Sequence, residues 1–243
     1  MKKVFLGLII MLTVLIGNAQ NDKNVVFDAN AEIRKVTGFT SIEVSGAVNL
    51  YLSQGIEEGV AVSAGEESLV SKIRTSVRDN VLYIDFDSKG LNWKNWSNNK
   101  IKAYVTFITL KKIEASGACN IKTAGLLKLS DIKIELSGAS DFSGEIEATN
   151  LAISLSGASD LKLKGTAEKL SINSNGASSI KAYDLKSEYC KIDASGASSV
   201  QITVNKEMNA KASGASSINY KGDAVVKDFT SSGASSVRHR TNE

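Results

Sequence analysis

Two carboxylates in this chain are spaced for chemistry. Asp141 and Asp160 each stand three residues after the glycine of a Ser-Gly-Ala-Ser phrase, in successive copies of that phrase. If the copies are stacked strands, the two acids lie about 4.8 Å apart. Paired carboxylates bind Ca²⁺ or serve as acid and base, and retaining glycosidases hold theirs at about 5–5.5 Å. The later copies carry Ser179, Ser199, Ser217 and Ser236 at the same place, so only two carboxylates converge. The plainer reading is a solvated outer row.

The remaining reactive residue types are sparse. Trp93 and Trp96, the only tryptophans, sit in the polar stretch LNWKNWSNN, outside any repeat. Aromatic faces among amide and cationic groups can stack on sugar rings or anchor a protein partner; otherwise the two pack over the protein's side or cap an end. The only histidine, His239, lies in VRHRTNE, and a terminus that frays is a poor place for the rigid Ser–His–carboxylate geometry of a hydrolase. One histidine and two separated cysteines, Cys119 and Cys190, make no convincing transition-metal site. No cofactor is expected. The two cysteines fall at different phases of the repeat, which disfavours a disulfide between them.

What must position these residues is the repeat itself. Its glycine falls at Gly117, Gly138, Gly157, Gly176, Gly196, Gly214 and Gly233, at intervals of 21, 19, 19, 20, 18 and 19 residues. Gly46, in IEVSGAVNLYL, is an earlier copy. Four residues before the seven glycines come Ile113, Ile134, Ile153, Ile172, Ile192, Ala210 and Phe229; four after come Ile121, Phe142, Leu161, Ile180, Val200, Ile218 and Val237. Self-similarity at a fixed period marks a solenoid, and even offsets to apolar residues mark strands with one buried face. Helix-pair repeats need longer units, and the leucine-rich pattern is absent. Three short strands with tight corners fit one coil of a parallel β-helix. At the corner, glycine tolerates positive φ, alanine suits a crowded inner position, and stacked serines hydrogen-bond along the rod.

The chain begins with Lys2 and Lys3, an apolar run from Val4 to Ile16, and Gly17-Asn18-Ala19. That pattern predicts a signal peptide over 1–19. No other stretch approaches the roughly 20 apolar residues of a transmembrane helix. Removing two lysines from 29 basic residues leaves 27 against 26 acidic, a charge of +1. Such a balance does not point to nucleic acid. The absence of proline suits a chain made mostly of sheet. Residues 20–243 are expected to form one β-helix domain, with irregular coils over 20–112 and regular ones over 113–238. In the irregular part, strands are expected at Ile42–Leu52, Val60–Ala64, Val81–Phe86 and Ile101–Phe107, with a hairpin turn at Asp79-Asn80 and a short helix or turn in Glu66–Ile73. The charged finish VRHRTNE is expected to blunt the far end.

The order FTSIEVSGAVNLYLSQG, VRDNVLYIDF, IKAYVTFITLKKIEASGACN and then the Ser-Gly-Ala-Ser copies resembles the bacterial family "putative auto-transporter adhesin, head GIN domain", across roughly residues 34–238. The resemblance implies a right-handed parallel β-helix exported by a Gram-negative bacterium to the periplasm, the outer-membrane surface or the medium. It implies an adhesin or envelope-binding role, with surface glycans or envelope proteins as partners and no catalytic residues. The alternative is a carbohydrate-active β-helix that binds or cleaves polysaccharide, using Asp141 and Asp160.

Overall fold

A computed structural model describes residue 28, residues 30–89 and residues 100–241; the predicted signal peptide and both tryptophans lie outside them. Among the described residues, sixteen strands join in one sheet that winds into a β-solenoid. Strands β9 (Asn120–Leu136), β10 (Asp141–Leu155), β11 (Asp160–Ser174), β12 (Ser179–Ala194) and β13 (Ser199–Ala212) pair in parallel, each with the next. Their registers match residues of the same repeat position, as in Ile134, Ile153, Ile172 and Ile192, all at most 2% exposed. Burying each such side chain contributes about 1.5–3 kcal/mol.

The expected three short strands per coil are instead one long ladder of 14–17 residues, closed by a single tight corner. The other two direction changes are made without leaving the sheet. In several coils one is marked by a register shift, as between Lys162 and Gly165, though β10 and β11 pair without one. The other is marked by a pair of successive exposed residues, such as Thr149 and Asn150, that interrupts the alternation. A bulge adds bend and twist while the flanking hydrogen bonds persist, so a fully broken strand is unnecessary. The result is three faces around an apolar interior.

The corner is the Ser-Gly-Ala-Ser phrase. All eight predicted corner glycines, Gly46 included, have φ between +70° and +93°. Gly157 shows why no side chain fits. A Cβ there would lie 2.4 Å from the Gly138 carbonyl oxygen of the coil before, while the Ala158 N–H donates to that same oxygen at 2.7 Å. The alanine is not the inner residue expected from its size. Ala118, Ala139, Ala158 and Ala177 are exposed, and the serine after each of the last three turns inward. The positive φ at glycine shifts the alternation by one. Ser140, Ser159, Ser178, Ser198 and Ser216 are at most 2% exposed, and Cys119 takes their place in the first regular copy. Burial is tolerable because each hydroxyl donates to a corner or neighbouring-coil carbonyl, for example Ser159 to Ser156 at 2.9 Å and Ser216 to Ala194 at 3.1 Å.

The N-terminal part follows the predicted strands but not the chain's order in space. β2 (Ser41–Gly46) and β3 (Val48–Gln54) form a coil on which β8 (Lys112–Gly117) and β9 are laid, with Gly117 in register on Gly46. On their other edge lie β6 (Val81–Phe86) and β7 (Ile101–Phe107), which come later in sequence. That outermost coil is closed by antiparallel strands: β5 (Ile73–Arg78) on β6, β4 (Gly59–Ser63) on β7, and β1 (Glu32–Arg34) on β4. The β5–β6 turn has φ of +50° at Asp79 and +61° at Asn80, the hairpin geometry predicted from those residue types. A one-turn helix, α1 (Glu67–Val70), packs Leu69 and Val70 inward.

The far end is built differently. β14 (Ser217–Lys221), β15 (Val225–Ser231) and β16 (Ser236–His239) complete the last coil, and Val225 and Phe229 are 58% and 55% exposed. β16 lies on β14 and Val237 packs against the core, so the described part of VRHRTNE covers that side of the last coil but leaves the β15 side open. Its first half does not fray: Arg240 N–H donates to the Tyr220 carbonyl at 2.8 Å, and the His239 ring stacks on Tyr220.

Candidate ligand-binding groove

On the face that precedes each corner, two columns of side chains point outward. Seven residues before successive glycines stand Asp131, Asn150, Lys169, Tyr189 and Glu207, paired in that order along the rod. Five residues before the same glycines stand Lys133, Ala152, Ser171, Lys191 and Asn209. Between the columns the chain turns Ile132, Leu151, Leu170 and Cys190 into the core. The columns thus become the two walls of a shallow open groove of about 810 Å³ that follows the rod across these coils. The second wall drops at Ala152 and Ser171 and rises at Lys133 and Lys191, three coil steps apart, or about 14 Å at the usual strand spacing.

Four lysines and two carboxylates line the groove, and part of this charge is paired. Lys133 pairs with Glu135 at 2.7 Å, and Asn150 donates its amide to Asp131 at 2.6 Å. Hydrogen bonds from Lys112 and Lys133 hold the Glu135 carboxyl below its ordinary value. Tyr189 is 40% exposed, with Lys206 Nζ 5.6 Å from its ring centre. Lys206 is itself fixed by Glu188 at 3.1 Å, and that hydrogen bond raises the lysine and lowers the glutamate from their ordinary values. Beneath this wall the Cys190 thiol is pushed up strongly by burial.

The residues singled out from sequence are distributed elsewhere. Asp141 and Asp160 are register partners at the start of β10 and β11, both exposed, flanked by Asn120 and Ser179. They occupy a different face from the groove. His239 lies on β16 with Nε2 2.9 Å from the Gly222 carbonyl. Both cysteines are free and buried, Cys119 at a corner and Cys190 within a strand. Among the described residues, no three His, Cys, Asp or Glu side chains are grouped to hold a metal ion. The apolar offsets of the repeat do not mark the groove; the same alignment at offsets −7 and −5 carries it.

A second polar cluster ties the N-terminal cap. Asp28, 12% exposed in its side chain, receives hydrogen bonds from Ser63, Lys102 and Tyr104. Burial alone would raise its carboxyl, but these bonds and the lysine charge outweigh it and leave the group below its ordinary value. The Tyr104 hydroxyl is raised well above its ordinary value, chiefly by burial and by the Asp28 charge.

Among solved structures, the fold is shared with a "putative adhesin" from Bacteroides fragilis at 23% identity and a TM-score of 0.79, covering 86% of this chain and 96% of that one. A "putative lipid binding protein" from Parabacteroides distasonis is 18% identical, with a TM-score of 0.66 and coverage of 86% and 96%. A "putative adhesin" from Parabacteroides merdae is 19% identical, with a TM-score of 0.63 and coverage of 86% and 95%. No curated protein matches the chain. Among the described residues no helix is long and apolar enough to cross a membrane. Residues 38–224 match the family described as "Putative auto-transporter adhesin, head GIN domain", and the chain belongs to that family.

Proposed function

We propose that this protein is an exported, non-enzymatic binding module of the adhesin type, and that its contact surface is the groove walled by Asp131–Glu207 and Lys133–Asn209. One observation carries the reading. The regular coils keep a buried, mostly apolar interior at matching positions, whereas these two outward columns change in charge, size and polarity from coil to coil and give that face its relief. Family membership supports the adhesin class, and the predicted signal peptide supports export to the periplasm, outer-membrane surface or medium of a Gram-negative cell. Surface glycans or envelope proteins are the partners this reading names. A rigid ladder of parallel strands suits display of a fixed surface, since its backbone groups are already paired. Trp93 and Trp96 enter as a secondary proposal, a stacking site on the segment joining β6 to β7.

The second reading, a polysaccharide-cleaving enzyme, rests on the side-by-side register of Asp141 and Asp160. A glycan and envelope-protein array probed with the purified protein tests the first reading. Release of reducing sugar from the bound glycans, abolished by Asp141→Asn and Asp160→Asn, would establish the second instead. Binding without release supports the module. Absence of binding on the array, together with unchanged surface adhesion by cells lacking the protein, overturns the adhesin reading.

A further inference from the structure

We propose that the groove takes an uncharged, extended glycan chain lying along the rod, with sugar rings seated over Ala152 and Ser171 and one ring against Tyr189. The inference rests on the binding-module reading and adds the class of ligand and its direction.

Four features select that ligand. The groove is open along its length, so it accepts a polymer segment better than a compact molecule. Its groups recur once per coil, about every 4.8 Å, close to the rise of one sugar ring in an extended chain. Amides, hydroxyls and ammonium groups alternate along the walls as Asn150, Lys169, Ser171 and Asn209, a mixture that can donate to and accept from ligand hydroxyls. Tyr189 adds a 40% exposed ring that suits the apolar side of a sugar, with Lys206 Nζ, paired to Glu188, 5.6 Å from its centre.

Charge decides between a neutral and an acidic chain. Lys111, Lys133, Lys169 and Lys191 line the groove with Asp131 and Glu207, and Glu135, just outside it, pairs with Lys133. Four positive and three negative groups leave a single positive charge spread along the groove, whereas a polyanion would require clustered basic excess. The low stretch at Ala152 and Ser171 is the only part of the second wall where a ring can approach the strand backbone between two lysines.

The test uses the purified protein with neutral linear hexasaccharides (cellohexaose, xylohexaose and mannohexaose) and with polygalacturonate, by calorimetry at low and high salt. At least one neutral oligosaccharide should bind, with little change in affinity on adding salt. Tyr189→Ala should weaken it about tenfold. Ala152→Lys, which fills the low stretch, should abolish binding while leaving the thermal midpoint close to that of the parent; Ser171→Lys serves the same purpose if that variant fails to fold. Ser143→Lys, on the face that carries Asp141, should leave binding intact. Binding of polygalacturonate alone, lost at high salt, would overturn the ligand class and leave the binding module standing. Equal loss in Ser143→Lys would overturn the groove as the site. Binding only to envelope proteins on the array would overturn the glycan proposal and retain the proposed function.

Discussion

The carbonyl oxygen of Gly138 occupies the space that a Cβ on Gly157 would need, at 2.4 Å, while accepting the Ala158 N–H at 2.7 Å. Corner glycines are therefore fixed twice, by a φ of +73° and by the coil beneath. Gly157→Ala should lower stability by a few kcal/mol, more than relief of the left-handed φ alone would explain. Denaturant unfolding of the variant checks this; a loss of only a few tenths would mean that the coils separate readily at the corner.

The inward serine predicts a graded series. Ser159 is fully buried and donates to the Ser156 carbonyl at 2.9 Å, and Cys119 makes the equivalent contact with the Ser116 carbonyl at 3.3 Å. Ser159→Cys should be close to neutral. Ser159→Ala should cost about 1 kcal/mol, the net worth of one such bond, and Ser159→Val should cost more because the corner has no room for a branched side chain. Equal midpoints for the alanine and valine variants would show that the corner is loosely packed.

Asp28 sets an acid limb on the stability curve. Its folded-state carboxyl lies below the ordinary value, because hydrogen bonds from Ser63, Lys102 and Tyr104 outweigh the effect of burial. A group depressed by folding stabilises above its unfolded value, and that contribution is lost as pH falls through the folded one. Lowering the pH from neutral to below the ordinary carboxylate range should therefore destabilise the parent more steeply than Asp28→Asn. Midpoints measured across that range should converge at the acid end; parallel curves would remove Asp28 from the account.

How legible this was in the sequence differs by feature. The corner glycines, the buried Ile113–Ile192 column and the Asp79-Asn80 hairpin were readable because each rests on a local requirement, namely backbone freedom or strand alternation. The inner serine and outer alanine were not, because the positive φ moves the alternation by one and residue size suggests the opposite. The interleaving of β6–β7 outside β2–β3 was hidden as well: parallel pairing is long-range, and the only clue was the 71-residue gap from Gly46 to Gly117. The Asp141–Asp160 register was readable from the period, whereas the groove required attention to the residues that the repeat leaves free to vary.

Phe229 and Ile172 test that lesson at the rod's open end. Both stand four residues before a corner glycine, in one column linked through Ile192 and Ala210. Ile172 is 2% exposed and Phe229 is 55% exposed, because no coil follows β15 among the described residues. Sequence period assigns them equal burial, but the structure does not. Ile172→Ala should cost about 2–5 kcal/mol, as large-to-small changes in packed cores do. Phe229→Ala, although it removes a larger side chain, should cost less than half as much. It should also reduce any tendency of the rods to associate through their exposed end strands, measured by sedimentation at rising concentration. If Phe229→Ala proved as costly as Ile172→Ala, the end coil would have to be covered in solution, either by another part of the chain or by a second molecule.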